Sequence, residues 1–109
     1  MNFLKSLVIF SALLTVACGQ GSSGGIVVKD VAATRALFAS QQCAVCHGPT
    51  GEGGTGANLK TGLPMQRSLE QIEAQIKNGS GVMPGFKDKL SEEQIQELAK
   101  FVYKEIQGR

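Results

Sequence analysis

Two of the three cysteines and the only histidine of this chain fall within five consecutive residues, Cys43-Ala44-Val45-Cys46-His47. Nothing else in the 109 residues restricts the fold so tightly. What surrounds the cluster is poor in core material: no Trp, a single Tyr and 14 Gly. Between His47 and Arg67 the chain carries Gly48, Gly51, Gly53, Gly54, Gly56 and Gly62, a density that argues against a long regular element. Structureless runs beyond ~12–15 residues are uncommon in compact domains. The length allows one small domain once any targeting segment is subtracted, and domains of that size often need an added staple. The sequence therefore predicts that something other than protein fills the centre.

Helical patterning accounts for most of the rest. From Asp30 to about Gln42, residues Val31, Thr34, Ala36, Leu37 and Phe38 cluster on one stripe, with Asp30 as N-cap. Ser68-Leu69-Glu70-Gln71 is a capping-box pattern, followed by Ile72 and Ile76 at helical spacing and by Asn78-Gly79 as a stop. Ser91-Glu92-Glu93-Gln94 is a second capping box, after which Ile95, Leu98, Ala99, Val102 and Ile106 form an amphipathic stripe. No alternating strand pattern appears, so the expected class is all-α with three main helices and long Gly-rich loops.

The N-terminus reads differently. In residues 1–17, Lys5 precedes an apolar run from Leu7 to Ala17 that is too short for a spanning helix of about 17–25 residues and suits an export signal. Cys18 follows Val16-Ala17, as in a bacterial lipoprotein signal, although Thr15 stands where an aliphatic residue is usual; cleavage after Ala17 without lipidation is the alternative. Residues 18–28 read as a tether whose Gly/Ser segment has a reach of about 15 Å. Ile26-Val27-Val28 fits either a short strand or a clip onto the domain. Residues 29–109 are the folded domain.

Cys-x-x-Cys-His is the attachment signature of a c-type haem. Two thiols three positions apart add to the two vinyl groups of one haem edge as thioethers, and the adjacent His47 falls under the iron. A thioredoxin-like dithiol would want a βαβ context, which is missing. A zinc site would want four ligands and a second Cys/His pair. A Cys43–Cys46 disulfide remains compatible with export. With His47 alone, bis-His ligation and a distal histidine are impossible within one molecule; the sixth position falls to Met, Lys, an amine, water or nothing. Met83, in Gly81-Val82-Met83-Pro84-Gly85-Phe86, is the best candidate, although the ordinary role of a lone Met is to fill core gaps. Met65 is the rival, better suited to packing on the haem face.

Over residues 30–106 the chain resembles the small class I cytochromes c of bacteria, and looks most like the lipid-anchored type of Gram-positive electron-transport chains. The resemblance is carried by Phe38 five residues before Cys43, by Cys43–His47, by Gly56-Ala57-Asn58-Leu59, by Val82-Met83-Pro84-Gly85-Phe86, and by Phe101-Val102. It implies a cytochrome c fold around one covalent haem c, with the first and last helices crossing through Phe38 and Phe101. It also implies His47 and Met83 as axial ligands and the carbonyl at position 57 as acceptor for the His47 Nδ1–H. Thr34 stands where the family often has Gly at the helix crossing, which would spread or tilt the helices. Ala57 stands where it often has Pro, whose carbonyl an Ala can replace.

The function implied is one-electron transfer, not enzymatic turnover, in a membrane-associated respiratory chain. The partners would be a quinol–cytochrome c reductase and a terminal oxidase or similar proteins. The expected location is the outer face of the cell membrane or the periplasm, through a lipid on Cys18. A haem sensor or enzyme with a labile sixth ligand, and a haem subunit of a larger oxidoreductase, are the other readings. Eleven basic against nine acidic residues leave +2, with no basic run of the kind that nucleic-acid binding by phosphate neutralisation needs. Lys60, Lys77, Lys87 and Lys89 are candidate docking charges, though a solvated face is the favoured explanation for them.

Overall fold

The computed structural model describes residues 25–109. The export signal, Cys18 and most of the expected tether lie outside them. Among the described residues the domain is helical, without strands; the single extended pairing is an isolated bridge between Ser80 and Met83.

Helix α1, Val31–Ser40, starts where Asp30 accepts the Ala33 amide at 2.9 Å. Thr34 and Phe38 are buried along it, Val31 and Leu37 partly so, and Ala36 is exposed. The chain then turns through Gln42, whose φ of 63° is the one left-handed backbone among the described non-glycine residues. This turn launches α2, Cys43–His47, a five-residue helix that packs on α1. A second short helix, α3, spans Leu63–Gln66 with Pro64 in its first turn, where no amide hydrogen is needed. Both are too short to leave a periodicity, and neither was expected.

Helices α4, Leu69–Asn78, and α5, Glu92–Phe101, are where the capping boxes place them. In each, the serine hydroxyl accepts an N3 amide and the N3 glutamine closes back on the cap. A π-helical turn, Val102–Ile106, continues α5 and closes with the Gln107 amide on the Val102 carbonyl at 2.9 Å.

Helix α5 packs on both α1 and α4. Ile95, Leu98, Ala99 and Phe101 are all buried on it. Phe38 and Phe101 meet with ring centroids 5.8 Å apart at 48°, the expected aromatic crossing. Thr34 does not part them: it is buried and turns its hydroxyl back to the Asp30 carbonyl at 2.7 Å.

Residues 26–28 form a clip and not a strand. Val28 is in the core, and the Lys29 amide donates to Glu97 Oε2 at 2.8 Å while Lys29 Nζ pairs with Glu93. Burial of Glu97 opposes its ionisation, but hydrogen bonds from Lys100 and the Lys29 amide, with both lysine charges, outweigh it and hold its carboxyl below the usual range. A group with a depressed folded pKa stabilises above its unfolded value, near 4.3 for Glu, and loses that contribution as pH falls through the folded value. Glu97→Gln is therefore expected to cost about 1 kcal/mol at neutral pH, with the gap to the parent closing below about pH 4. Urea melts at two pH values check this.

Candidate functional site

A cavity of about 990 Å³ opens at the centre of these helices. Phe38 of α1, Ile72 and Ile76 of α4, Phe86, Leu98 of α5 and Val102 supply much of its apolar lining. Cys43, Cys46 and His47 reach it from α2, and Met83 from the loop after α4. The sequence expectation of a non-protein centre thus corresponds to a real space.

His47 is oriented by a single bond. Its Nδ1 lies 2.8 Å from the Ala57 carbonyl oxygen, which can only accept, so Nδ1 carries a hydrogen and, in the neutral ring, Nε2 keeps its lone pair. Ala57 thus provides the acceptor expected at that position. The loop that presents it is stitched to the motif: the Gly53 amide donates to the His47 carbonyl at 2.7 Å and the Gly56 amide to the Cys46 carbonyl at 2.8 Å. A side chain at position 56 would put its Cβ 3.0 Å from both Cys46 Cβ and Cys46 O. Gly56→Ala is expected to push this loop off α2 and to cost about 1–3 kcal/mol, read as a lowered urea midpoint.

Cys43 and Cys46 are not joined to each other by a disulfide; the first is half-buried and the second exposed. Burial pushes the Cys43 thiol up from its ordinary pKa.

Met83 sits in a loop folded sharply onto the end of α4. Ser80 and Met83 exchange both backbone hydrogen bonds, at 3.1 and 3.0 Å. Gly79 makes this possible with φ of 68°: a Cβ there would lie 2.4 Å from the Met83 carbonyl oxygen. Gly85 crosses the helix end so closely that a Cβ would lie 2.7 Å from the Asn78 carbonyl. The Phe86 amide then ties the loop to the Ile76 carbonyl at 3.0 Å.

Gln75 is the residue that sequence reading missed. Its Nε2 donates to Ser80 Oγ at 2.8 Å and contacts Met83 Sδ at 3.4 Å, while its Oε1 accepts from Arg67 Nη1 at 3.2 Å. The available signal was its position between the buried Ile72 and Ile76, a polar side chain on an apolar stripe. Met65, the rival ligand, is absent from the cavity lining, where Pro64 and Arg67 stand instead. Of the four candidate docking lysines only Lys89 borders the cavity, and Lys77 pairs with Glu92.

Two thiols, an imidazole with its Nε2 free and a thioether, set in a largely apolar cavity, suit a haem. The volume lies at the upper end of the roughly 300–1,000 Å³ typical of small-molecule sites, as a large planar group requires. The described residues hold no cluster of three or more His, Cys, Asp or Glu for a bare metal ion. Fold and site together define a helical domain built around one covalently attached haem.

Known proteins place it further. A family model described as cytochrome c oxidase, cbb3-type, subunit III, matches residues 29–102. Cytochrome c6 of Leptolyngbya boryana is 40% identical over 77 residues, covering 67% of this chain and 89% of its own. Cytochrome c6 of a Synechocystis strain is 37% identical over 84 residues, 70% of this chain and 66% of its own. The crystal structure of cytochrome CL from Methylophaga aminisulfidivorans superposes with a TM-score of 0.57 over 66% of this chain, at 24% identity; the match spans half of that protein and is a likeness of fold. The chain belongs to the cytochrome c family, as a small class I member with one covalent c-type haem. Cys43 and Cys46 fit the attachment of that haem, and the role is haem-based electron transfer.

Proposed function

We propose that this protein is a one-electron carrier of a membrane-associated respiratory chain, with thioethers at Cys43 and Cys46 and axial ligation by His47 and Met83. The observation that carries the reading is the bond from His47 Nδ1–H to Ala57 O, which leaves Nε2 as the free nitrogen in the cavity that Met83 also lines. Haem bound there supplies a one-electron couple, and a Met/His pair raises its potential. Ala57 fixes the imidazole tautomer and orientation, as acceptors behind metal-bound histidines do. Gln75 and the Ser80–Met83 bridge hold the thioether. Were His47 and Met83 both to hold the haem iron, no coordination position would be left for a substrate, and the chemistry the group would supply is one-electron transfer. The apolar lining limits water at the centre, and a pre-shaped cavity needs little rearrangement when the charge changes.

Residues 1–17 act as an export signal in this reading, and the tether from Cys18, shortened by the clip at 26–28 that packs onto the domain, joins it to the outer face of the membrane through lipid on Cys18. Removing Lys5 with the signal leaves ten basic against nine acidic residues, and two haem propionates bring the balance near neutral. Partners such as a quinol–cytochrome c reductase and a terminal oxidase are then met without strong steering. Cys18→Ser is expected to move most of the protein from the membrane fraction to the soluble one, checked by fractionating cells that express each form.

The experiment that tests the carrier is an absorption spectrum, oxidised and reduced, of protein made in a host with haem-attachment machinery. A c-type reduced spectrum with a weak far-red sulfur-to-iron band in the oxidised form supports it. A c-type spectrum without that band, with rapid CO binding to the reduced form, would favour a sensor or enzyme. A colourless protein would leave a plain dithiol.

A further inference from the structure

Gln75 lies on α4 between Ile72 and Ile76, and all three line the cavity. Its amide has two unlike ends. Nε2 donates to Ser80 Oγ at 2.8 Å and contacts Met83 Sδ at 3.4 Å, while Oε1 accepts from Arg67 Nη1 at 3.2 Å. Turned end for end, the amide would occupy the same space, but a carbonyl oxygen would then face the sulfur.

The chemistry of the three partners decides between the two orientations. A serine hydroxyl both donates and accepts, so either end satisfies Ser80. A thioether sulfur is a weak acceptor and holds an N–H only loosely. A guanidinium carries five N–H donors and no acceptor, and it stays protonated. Arg67 is therefore the one partner that admits a single end of Gln75, the oxygen. With Oε1 drawn to Arg67, Nε2 is left to Ser80 and Met83. Arg67 is itself seated: its carbonyl accepts from Arg109 Nη2 at 2.7 Å, and its amide closes on the Pro64 carbonyl at 3.4 Å. The Pro64 carbonyl is also held by Gln107 Nε2 at 3.0 Å.

The orientation matters because of the atom at its far end. A donor at a thioether draws electron density from the sulfur, and an acceptor there opposes it. Hydrogen bonds behind the ligands are among the levers on a haem potential.

We propose that Arg67 is a positioning residue: it fixes which end of the Gln75 amide faces Met83, and so the sign of the dipole presented to the sulfur. This rests on ligation by Met83, as read above. Arg67 reaches the thioether through Gln75 alone and needs no contact with the haem.

The experiment compares midpoint potentials of the haem-loaded protein in Arg67→Met, Arg67→Lys, Gln75→Leu and the double variant Arg67→Met/Gln75→Leu. Arg67→Met keeps the stem and removes the donor, and its potential is expected to fall. Arg67→Lys is again donor-only, and one N–H suffices here, so it is expected to stay near the parent. Gln75→Leu has no amide to orient, so adding Arg67→Met to it is expected to change nothing further. A fall of the same size with and without Gln75 overturns the proposal, because Arg67 would then act by its charge. An Arg67→Met potential equal to the parent's overturns it too. The second readout is proton NMR of the reduced protein. A cross-peak between the Gln75 side-chain amide protons and the Met83 methyl is expected in the parent and in Arg67→Lys, and weakened in Arg67→Met. Should Gln75→Leu not accumulate with haem, this cross-peak decides alone, and full intensity in Arg67→Met sinks the idea. A haem-loaded parent without the far-red band overturns both this and ligation by Met83. A parent with the band, and no coupling between Arg67 and Gln75, overturns this alone.

Discussion

Met83→Ala is expected to abolish the far-red band of the oxidised protein and to lower the midpoint potential by roughly a few tenths of a volt, within the ~0.8 V over which axial ligands set haem potentials. The argument starts from the backbone. Gly79 and Gly85 let the loop cross the end of α4 so tightly that a Cβ at either position would collide with main-chain atoms at 2.4–2.8 Å. The Ser80–Met83 bridge then fixes residue 83, and Gln75 touches its sulfur. Val82 beside it is fully exposed. A residue so constrained, half-buried on the cavity and next to an exposed neighbour, is held for its side chain. On the ligation proposed above, loss of the soft thioether would remove the ligand that favours the reduced state. The c-type reduced spectrum should survive, because Cys43, Cys46 and His47 stand on a separate element. An unchanged band in Met83→Ala would leave the loop with a packing role and move the ligand elsewhere.

What could be read in the sequence was local. Both capping boxes close within four residues, so Ser68 and Ser91 marked their helices without reference to the fold. The five-residue motif declared the cofactor for the same reason. The missing parts depend on contacts between distant segments. Helix α2 exists because Gln42 accepts a left-handed backbone at the end of α1, and nothing local demands that of a glutamine. The π-helical turn is invisible because Val102 and Ile106 continue an apolar spacing that an α-helix would satisfy equally. Ile106 instead packs so closely over Gly51 that a Cβ there would sit 2.5 Å from its Cγ2. The His47–Ala57 bond was anticipated only through family resemblance, since a backbone acceptor leaves no mark on residue type. Gln75 gave no local sign of its role, which appears once α4 turns it toward the cavity.

Phe101→Ala is expected to destabilise the haem-loaded protein by about 3–5 kcal/mol while leaving the far-red band in place. Phe101 is 1% exposed and touches Phe38 at 5.8 Å between centroids, with the Arg35 guanidinium 5.2 Å from its own. Truncation would therefore empty a ring-sized space, remove an aromatic pair of about 0.5–1.5 kcal/mol and free a cation–π contact of about 0.5–1 kcal/mol. Small domains hold on the order of 5–15 kcal/mol in total, so one side chain carries a large share. Phe38 lines the cavity and Phe101 does not. Phe38→Ala should disturb the spectrum as well as stability, and the double variant should show a coupling of about 0.5–1.5 kcal/mol in urea melts. No coupling would mean that the two rings are independent core residues. A coupling of that size would show that the crossing of α1 and α5, which buries Leu98 and Val102 against the cavity, holds one wall of the haem site through a contact the haem need not touch.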